Sequence, residues 1–251
     1  MLRADKISFK RYHNDEIRIN INNLNFDIDH EKITCLVGHS GVGKSTIAGI
    51  LAGLIKPDSG SVYFCEEVVK QPHTPIAMVL QDYKNAVFPW LTVEQNIMIG
   101  RKKPINRYND FLYEEIVSLL GIGDIVSTYP YQLSGGQIQR VQIGRALYTG
   151  AKYIILDEPA SSLDMRFRND LQKILTEIRD NYKVGSLMIT HNIEEATLLS
   201  DYMYILSEGN NKIIDLKIFN GYSGGLRAIK DAQKDNKYIE IYEKVYNIIF
   251  S

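Results

Sequence analysis

The run Gly38-His39-Ser40-Gly41-Val42-Gly43-Lys44-Ser45-Thr46 carries the strongest chemical signal in this chain. It fits GxxxxGK[ST], a pattern that requires a strand before it and a helix after it. The glycines let backbone amides turn inward around phosphates, and the following helix start adds partial positive charge. Lys44 would reach the β- and γ-phosphates, and the Ser45 hydroxyl would ligate magnesium. Alone, the motif states nucleotide binding and nothing further.

Tyr153-Ile154-Ile155-Leu156-Asp157-Glu158-Pro159 supplies a partner, an apolar strand ending in two adjacent carboxylates. Burial of the strand places Asp157 near the metal. Glu158, one residue on, points elsewhere and can polarise an attacking water as general base. A third signal is Leu133-Ser134-Gly135-Gly136-Gln137. Ser134 is placed to cap a helix, and Gly135 and Gly136 expose backbone amides, which makes a second anion site. Two anion sites in one chain, for one nucleotide, suggest that the two belong to different molecules.

With Ile138-Gln139-Arg140 and Gly144-Arg145-Ala146-Leu147, this third motif resembles the signature of ABC ATPases, and it stands about twenty residues before the acidic strand. The resemblance spans about residues 4–215 and implies a P-loop NTPase of α/β class. Its expected parts are a mostly parallel core sheet, an N-terminal antiparallel β subdomain and an inserted helical subdomain. It also implies that Ser134, Gly135, Gly136 and Gln137 of one subunit close over the γ-phosphate of ATP held by the other. Gln81 matches the glutamine that senses the γ-phosphate and Mg2+, so Ser45, Gln81 and Asp157 form the expected metal set. His191, after the apolar run Ser186–Thr190, matches the switch histidine. Ser161-Ser162-Leu163-Asp164 resembles the loop that links the two sites across the dimer. Tyr12 is placed like the aromatic that stacks on adenine, with Phe9 as its rival. Departures are small: His30-Glu31-Lys32 stands where a Gly-Glu pair is common, and Gly144 replaces a frequent alanine.

Gln81 through Val93, with its Phe88-Pro89-Trp90-Leu91-Thr92-Val93 run, resembles importers of the nitrate, sulfonate and taurine type. In that family the region receives a helix from a membrane subunit, and Phe88, Trp90 and Leu91 form an apolar patch suited to docking. Packing of Trp90 inside the insert is the plainer alternative. The resemblance implies a second ATPase subunit, permease subunits and, indirectly, a solute-binding protein as partners. A nickel- or peptide-type importer, an exporter, a soluble ABC ATPase and a non-catalytic regulatory subunit are the competing readings.

Positioning these residues requires alternating strands and helices. Ile17, Ile19 and Ile21 alternate, as do Leu24, Phe26 and Ile28, and Lys32–Val37 reads as a buried strand. Further strands are expected at 61–65, 76–80, 153–156, 186–190 and 202–206. Helices are expected at 46–54, after Leu112, from Ser134 to 148, along Phe167–Ile178, and at 193–200. Glu208–Asn211 reads as a hairpin turn and Tyr238–Phe250 as a helix. The expected domains are an ATP-binding core with its β subdomain (1–81 and 151–220), a helical subdomain with the signature (82–150) and a tail (221–251).

The chain has 251 residues, 45% of them hydrophobic, which suffices for a real core. Its 29 basic and 30 acidic residues nearly cancel, so nothing draws it to nucleic acid. No run approaches the ~20 apolar residues that span a bilayer, and the start Met1-Leu2-Arg3-Ala4-Asp5 lacks an apolar signal core. The protein is therefore expected at the cytoplasmic face of a membrane, held there by partners. Cys35 and Cys65 are expected to be buried and reduced.

Overall fold

The structure, a computed structural model, describes residues 1–14, 16–72, 75–82, 85–99, 112–160, 165–206, 213–216 and 234–250, without the side chains of 13, 16, 17, 165, 166 and 213–216. Two sheets organise it. The smaller is antiparallel, in the order β2-β1-β4-β5, from β1 (Leu2–His13), β2 (Glu16–Ile28), β4 (Ser59–Phe64) and β5 (Glu67–Val68). The larger runs β10-β9-β3-β8-β7-β6. Its strands are β3 (Ile33–Gly38), β6 (Ile76–Val79), β7 (Tyr153–Asp157), β8 (Gly185–Thr190), β9 (Tyr202–Leu206) and β10 (Ile213–Leu216). All its pairings are parallel except β9 with β10.

Strands buried on both faces need apolar residues of both parities. In β3, Ile33, Cys35 and Val37 face one core while Leu36 faces the other. In β7, Ile154 and Leu156 face the first core, and Tyr153 and Ile155 the second. The first core is closed by α3 (Tyr113–Leu120), α4 (Gly135–Tyr148), α5 (Met165–Tyr182), α6 (Ile193–Leu199) and α7 (Asn236–Phe250). The second is closed by α1 (Lys44–Leu51) and the antiparallel sheet. A short α2 (Val93–Met98) leans on α4, so the stretch between β6 and β7 is helical in the described residues.

The two alternating runs in β2 differ in phase, and the structure shows why. Pairing shifts between Ile7/Leu24 and Phe9/Ile21, and Asn23 sits at φ 52 with its amide donating to Ser8 Oγ. This bulge lets Ile21 and Leu24 both face the core.

Two expectations need correction. Cys35 is buried, but Cys65 is exposed, because strand β4 ends at Phe64 and Cys65-Glu66 form a two-residue turn at φ 47 and 73. Helix α1 begins at Lys44, two residues earlier than expected, immediately after left-handed Gly43. The hairpin expected at 208–211 lies outside the described residues.

Candidate functional site

Strands β3, β8, β7 and β6 are successive neighbours, and each ends in a residue of chemical interest. Val37 pairs with Thr190, Asp157 with Ile189, and Val79 with Leu156. That register brings Gly38, His191, Asp157, Glu158 and Gln81 to one edge, the carboxyl end where parallel sheets hold ligands.

The phosphate loop leaves β3 at Gly38, where a Cβ would lie 2.6 Å from the Leu206 carbonyl oxygen. Gly41 and Gly43 adopt φ 85 and 110, and a Cβ on Gly43 would meet Ile19 Cγ2 at 3.2 Å. No side chain caps α1, so the amides of its first turn remain for another acceptor. Ser40 and Ser45 are exposed, Val42 half-buried and Thr46 buried. Lys44 is buried, and its Nζ donates to the carbonyls of Gly38 and His39, 2.8 Å each. Burial lowers its pKa, against the charges of Glu158 and Asp157, which raise it.

Ser45 Oγ donates to Asp157 Oδ1 at 3.0 Å. Burial raises the Asp157 carboxyl pKa, the Ser45 hydrogen bond lowers it, Glu158 raises it and Lys44 lowers it. Glu158 follows in left-handed backbone at φ 46, with its amide donating to the Ile189 carbonyl at 2.9 Å. Gln81 Nε2 donates to Glu158 Oε2 at 3.2 Å, and His191 Nδ1 approaches the same oxygen at 3.3 Å.

Hydroxyl, carboxylate and amide oxygens of Ser45, Asp157 and Gln81 form a hard donor set that suits Mg2+. Among the described residues, no group of three or more His, Cys, Asp or Glu could hold a metal by itself.

Ser134 caps α4 with a reciprocal box: its Oγ accepts from the Gln137 amide (3.3 Å) while Gln137 Oε1 accepts from the Ser134 amide (2.8 Å). Gly135 opens the helix, and a Cβ on Gly136 would lie 2.8 Å from Phe167 Cδ2, so only glycine lets α5 come this close. Among the described residues, the start of α4 shares no hydrogen bond with the phosphate loop. Gln81, Glu158 and His191 thus meet at the sheet end that carries the loop. Phe9 packs against the core, whereas Tyr12 is 59% exposed on β1. Asp164 and the rest of 161–164 lie outside the described residues.

Sequence reasoning missed several contacts. Gln142 Oε1 accepts from the Leu80 amide at 3.2 Å, and Arg145 donates to the Ala86 carbonyl and lies 5.7 Å from the Phe88 ring centre. The signature helix is thus tied to both sides of the Gln81 turn. Arg140 bonds the Leu120 carbonyl (2.7 Å) and Asp170 (2.5 Å), which joins α4 to α3 and α5. Behind His191, Glu195 is buried and accepts from Thr190 Oγ1 at 3.1 Å. The sequence shows Arg145 only as part of the signature run and Glu195 as the second of two adjacent acids, and neither position announces its partner.

The chain matches the family described as ABC transporter over residues 21–161, more than half its length. It is 36% identical over 229 residues to the bicarbonate transport ATP-binding protein CmpC of Synechocystis sp., an alignment covering 90% of this chain and 32% of that one. Against the nitrate import ATP-binding protein NrtD of the same organism it is 36% identical over 191 residues, 74% of this chain and 70% of that protein. The chain spans 32% of CmpC and 50% of XacJ, the xylose/arabinose import ATP-binding protein of Haloferax volcanii. Among solved structures, cbiO1 from Clostridium perfringens superposes with TM-score 0.74 at 22% identity, over 98% of this chain and 96% of that one. A dimeric ATP-binding cassette, MJ0796 with ADP and Pi, gives 0.72 at 23% over 87% and 100%. The fold is therefore that of a P-loop ATP-binding cassette, and by the extent of the family match and the identity to NrtD this chain belongs to the ABC transporter family.

Proposed function

We propose that this chain is the ATP-binding subunit of an importer, hydrolysing MgATP between two copies to drive a small solute through membrane partners. The convergence of Gln81 and His191 on one oxygen of Glu158, beside the Ser45–Asp157 pair, carries this reading. Relatives named for nitrate and bicarbonate favour a small anion as cargo, with sulfonate- and taurine-like solutes in the same class.

In this reading the amides of 38–46 and Lys44 hold the β- and γ-phosphates, and Tyr12 stacks on adenine. Ser45, Asp157 and Gln81 hold Mg2+, which supplies positive charge to the phosphate oxygens. Glu158 orients the attacking water and takes its proton, while Gln81 and His191 fix the carboxylate that does so. Positioning and charge stabilisation carry most of the rate. Ser134, Gly135, Gly136 and Gln137 of the second copy complete the site, and Asp164 lies in the loop between the two sites. Loss of the γ-phosphate removes those contacts and reopens the dimer.

In this reading 1–81 with 151–220 form the ATP-binding core, 82–150 carry both the signature and the membrane-coupling patch, and 221–251 form a tail. Among the described residues no helix is long and apolar enough to cross a membrane. Attachment at the cytoplasmic face would therefore run through the permease subunits, with Trp90, 70% exposed, in the docking patch.

The test compares MgATP hydrolysis by the purified chain with that of Glu158→Gln, and follows dimerisation by light scattering. An active parent and an inactive variant that ATP traps as a dimer are expected. Equal hydrolysis by both proteins would remove Glu158 from the chemistry.

A further inference from the structure

Helix α7 lies far from the phosphate loop in sequence and touches it in space. Its aromatic residues recur every fourth position and form a ladder. Tyr238–Tyr242 centroids are 6.2 Å apart, Tyr242–Tyr246 6.1 Å and Tyr246–Phe250 4.6 Å. The next ring in line is His39, the second residue of the loop, edge-on to Phe250 at 5.1 Å and 89°. His39 Nε2 also lies 2.8 Å from the Ile249 carbonyl oxygen. A carbonyl only accepts, so Nε2 carries the proton and donates. Ile249 belongs to the last turn of α7, whose carbonyls have no partner within the helix. The imidazole N–H supplies one.

The same residue faces the chemistry through its backbone, because the His39 carbonyl is one of the two acceptors that hold Lys44 Nζ. Side chain and carbonyl of His39 therefore link the end of α7 to the lysine head. The other flank of α7 is fixed as well: it packs on α6 and β9, Tyr238 clusters with Leu198, and Val245 enters the main core. Helix α6 begins two residues after His191. One helix thus bears on the elements that carry the loop and the switch histidine.

We infer that the last turn of α7 is a positioning clamp on the phosphate loop, with Phe250 and the Ile249 carbonyl setting His39 and, through it, Lys44. The inference rests on the reading of this loop as a nucleotide site. By reciprocity, nucleotide on the loop must stabilise the end of α7 to the same degree.

The test uses the full chain, Phe250→Ala and Phe250→Tyr. Without nucleotide, the His39 imidazole NMR signals should shift in Phe250→Ala and return toward the parent's in Phe250→Tyr. Calorimetric titration with MgADP should show Kd raised roughly three- to tenfold in Phe250→Ala, as expected for loss of one aromatic pair, with recovery in Phe250→Tyr. MgADP should also slow hydrogen exchange at 244–250 in the parent. A lower Tm with unchanged Kd in Phe250→Ala would make the contact merely structural and overturn the inference. So would His39 signals that ignore Phe250. A parent that binds no MgADP overturns the nucleotide reading and this inference together, whereas a parent that binds with Phe250→Ala unaffected overturns this inference alone.

Discussion

Replacing Arg145 with Met tests whether the signature helix is tied to the segment after Gln81. Arg145 gives the Ala86 carbonyl a charged donor and holds its guanidinium over Phe88, whose ring is 5.6 Å from that of Trp90. Methionine keeps the apolar stem and removes both contacts. A hydrogen bond from a charged group is worth about 1.5–3 kcal/mol, and a cation–π contact at a partly exposed site about 0.5–1 kcal/mol. Burial lowers the Arg145 pKa, a sign that desolvation of the charge offsets part of this gain. The net loss should be about 1–3 kcal/mol, and a chain of this size loses about 2–4 °C in Tm per kcal/mol. Trp90 is the single tryptophan, so its fluorescence reports on this segment alone. In Arg145→Met its anisotropy should fall and acrylamide quenching should rise, alongside a Tm lower by roughly 2–12 °C. Arg145→Lys keeps the charge but not the planar fork, and should recover less than half of either effect. An unchanged Tm with unchanged anisotropy in Arg145→Met would refute the tether.

Three further outcomes follow from other contacts. Burial raises the Glu195 carboxyl above its ordinary 4.5, so the folded chain keeps a proton that the unfolded chain releases. That stability is fully present below pH 4.5 and is lost as pH rises through the folded-state pKa. Glu195→Gln should therefore gain in Tm over the parent as pH climbs from 4.5 to neutral, and parallel pH curves would contradict this. At the β4–β5 turn, Cys65→Asn with Glu66→Gly suits two left-handed positions and should add about 1 kcal/mol in urea unfolding; a loss would show that the turn relaxes otherwise. Gly136→Ala drives a methyl into the buried Phe167 ring and should cost about 1–3 kcal/mol, more than half of it recovered by adding Phe167→Leu; denaturant midpoints of both variants decide.

The parts legible in the sequence are those where function and local structure use the same residues. Gly41 and Gly43 mark left-handed backbone at the turn into α1, and the apolar run before Asp157 is both a buried strand and the device that places an acid at its end. Ser134 and Gln137 wrote their capping box at a spacing any reader can check. What stayed hidden depends on residues brought together from afar. His39 meets Ile249 across 210 positions, and nothing near either residue announces it. Arg145 reads as an ordinary charge near a helix end until Ala86 and Phe88 are seen beneath it. Cys65 misled because the apolar run before it gave no sign that the strand ends at Phe64. Periodicity could not say which of Phe9 and Tyr12 packs on the core, because register shifts interrupt the strand.

The strand order bears on how the chain reaches its native state as it is made. β3 delivers the phosphate loop, yet its two neighbours are β8 and β9, which end at Thr190 and Leu206. Synthesis at about 5–20 residues per second leaves β3 without either neighbour for on the order of ten seconds. During that time the antiparallel hairpin of β1 and β2 can form from local contacts, whereas the loop has no sheet to fix it. Non-local pairing of this kind closes late, after its loop-entropy cost has been met. Nascent chains halted before β8 should therefore lack a formed loop, because β3 then has no parallel neighbour to hold its carboxyl end.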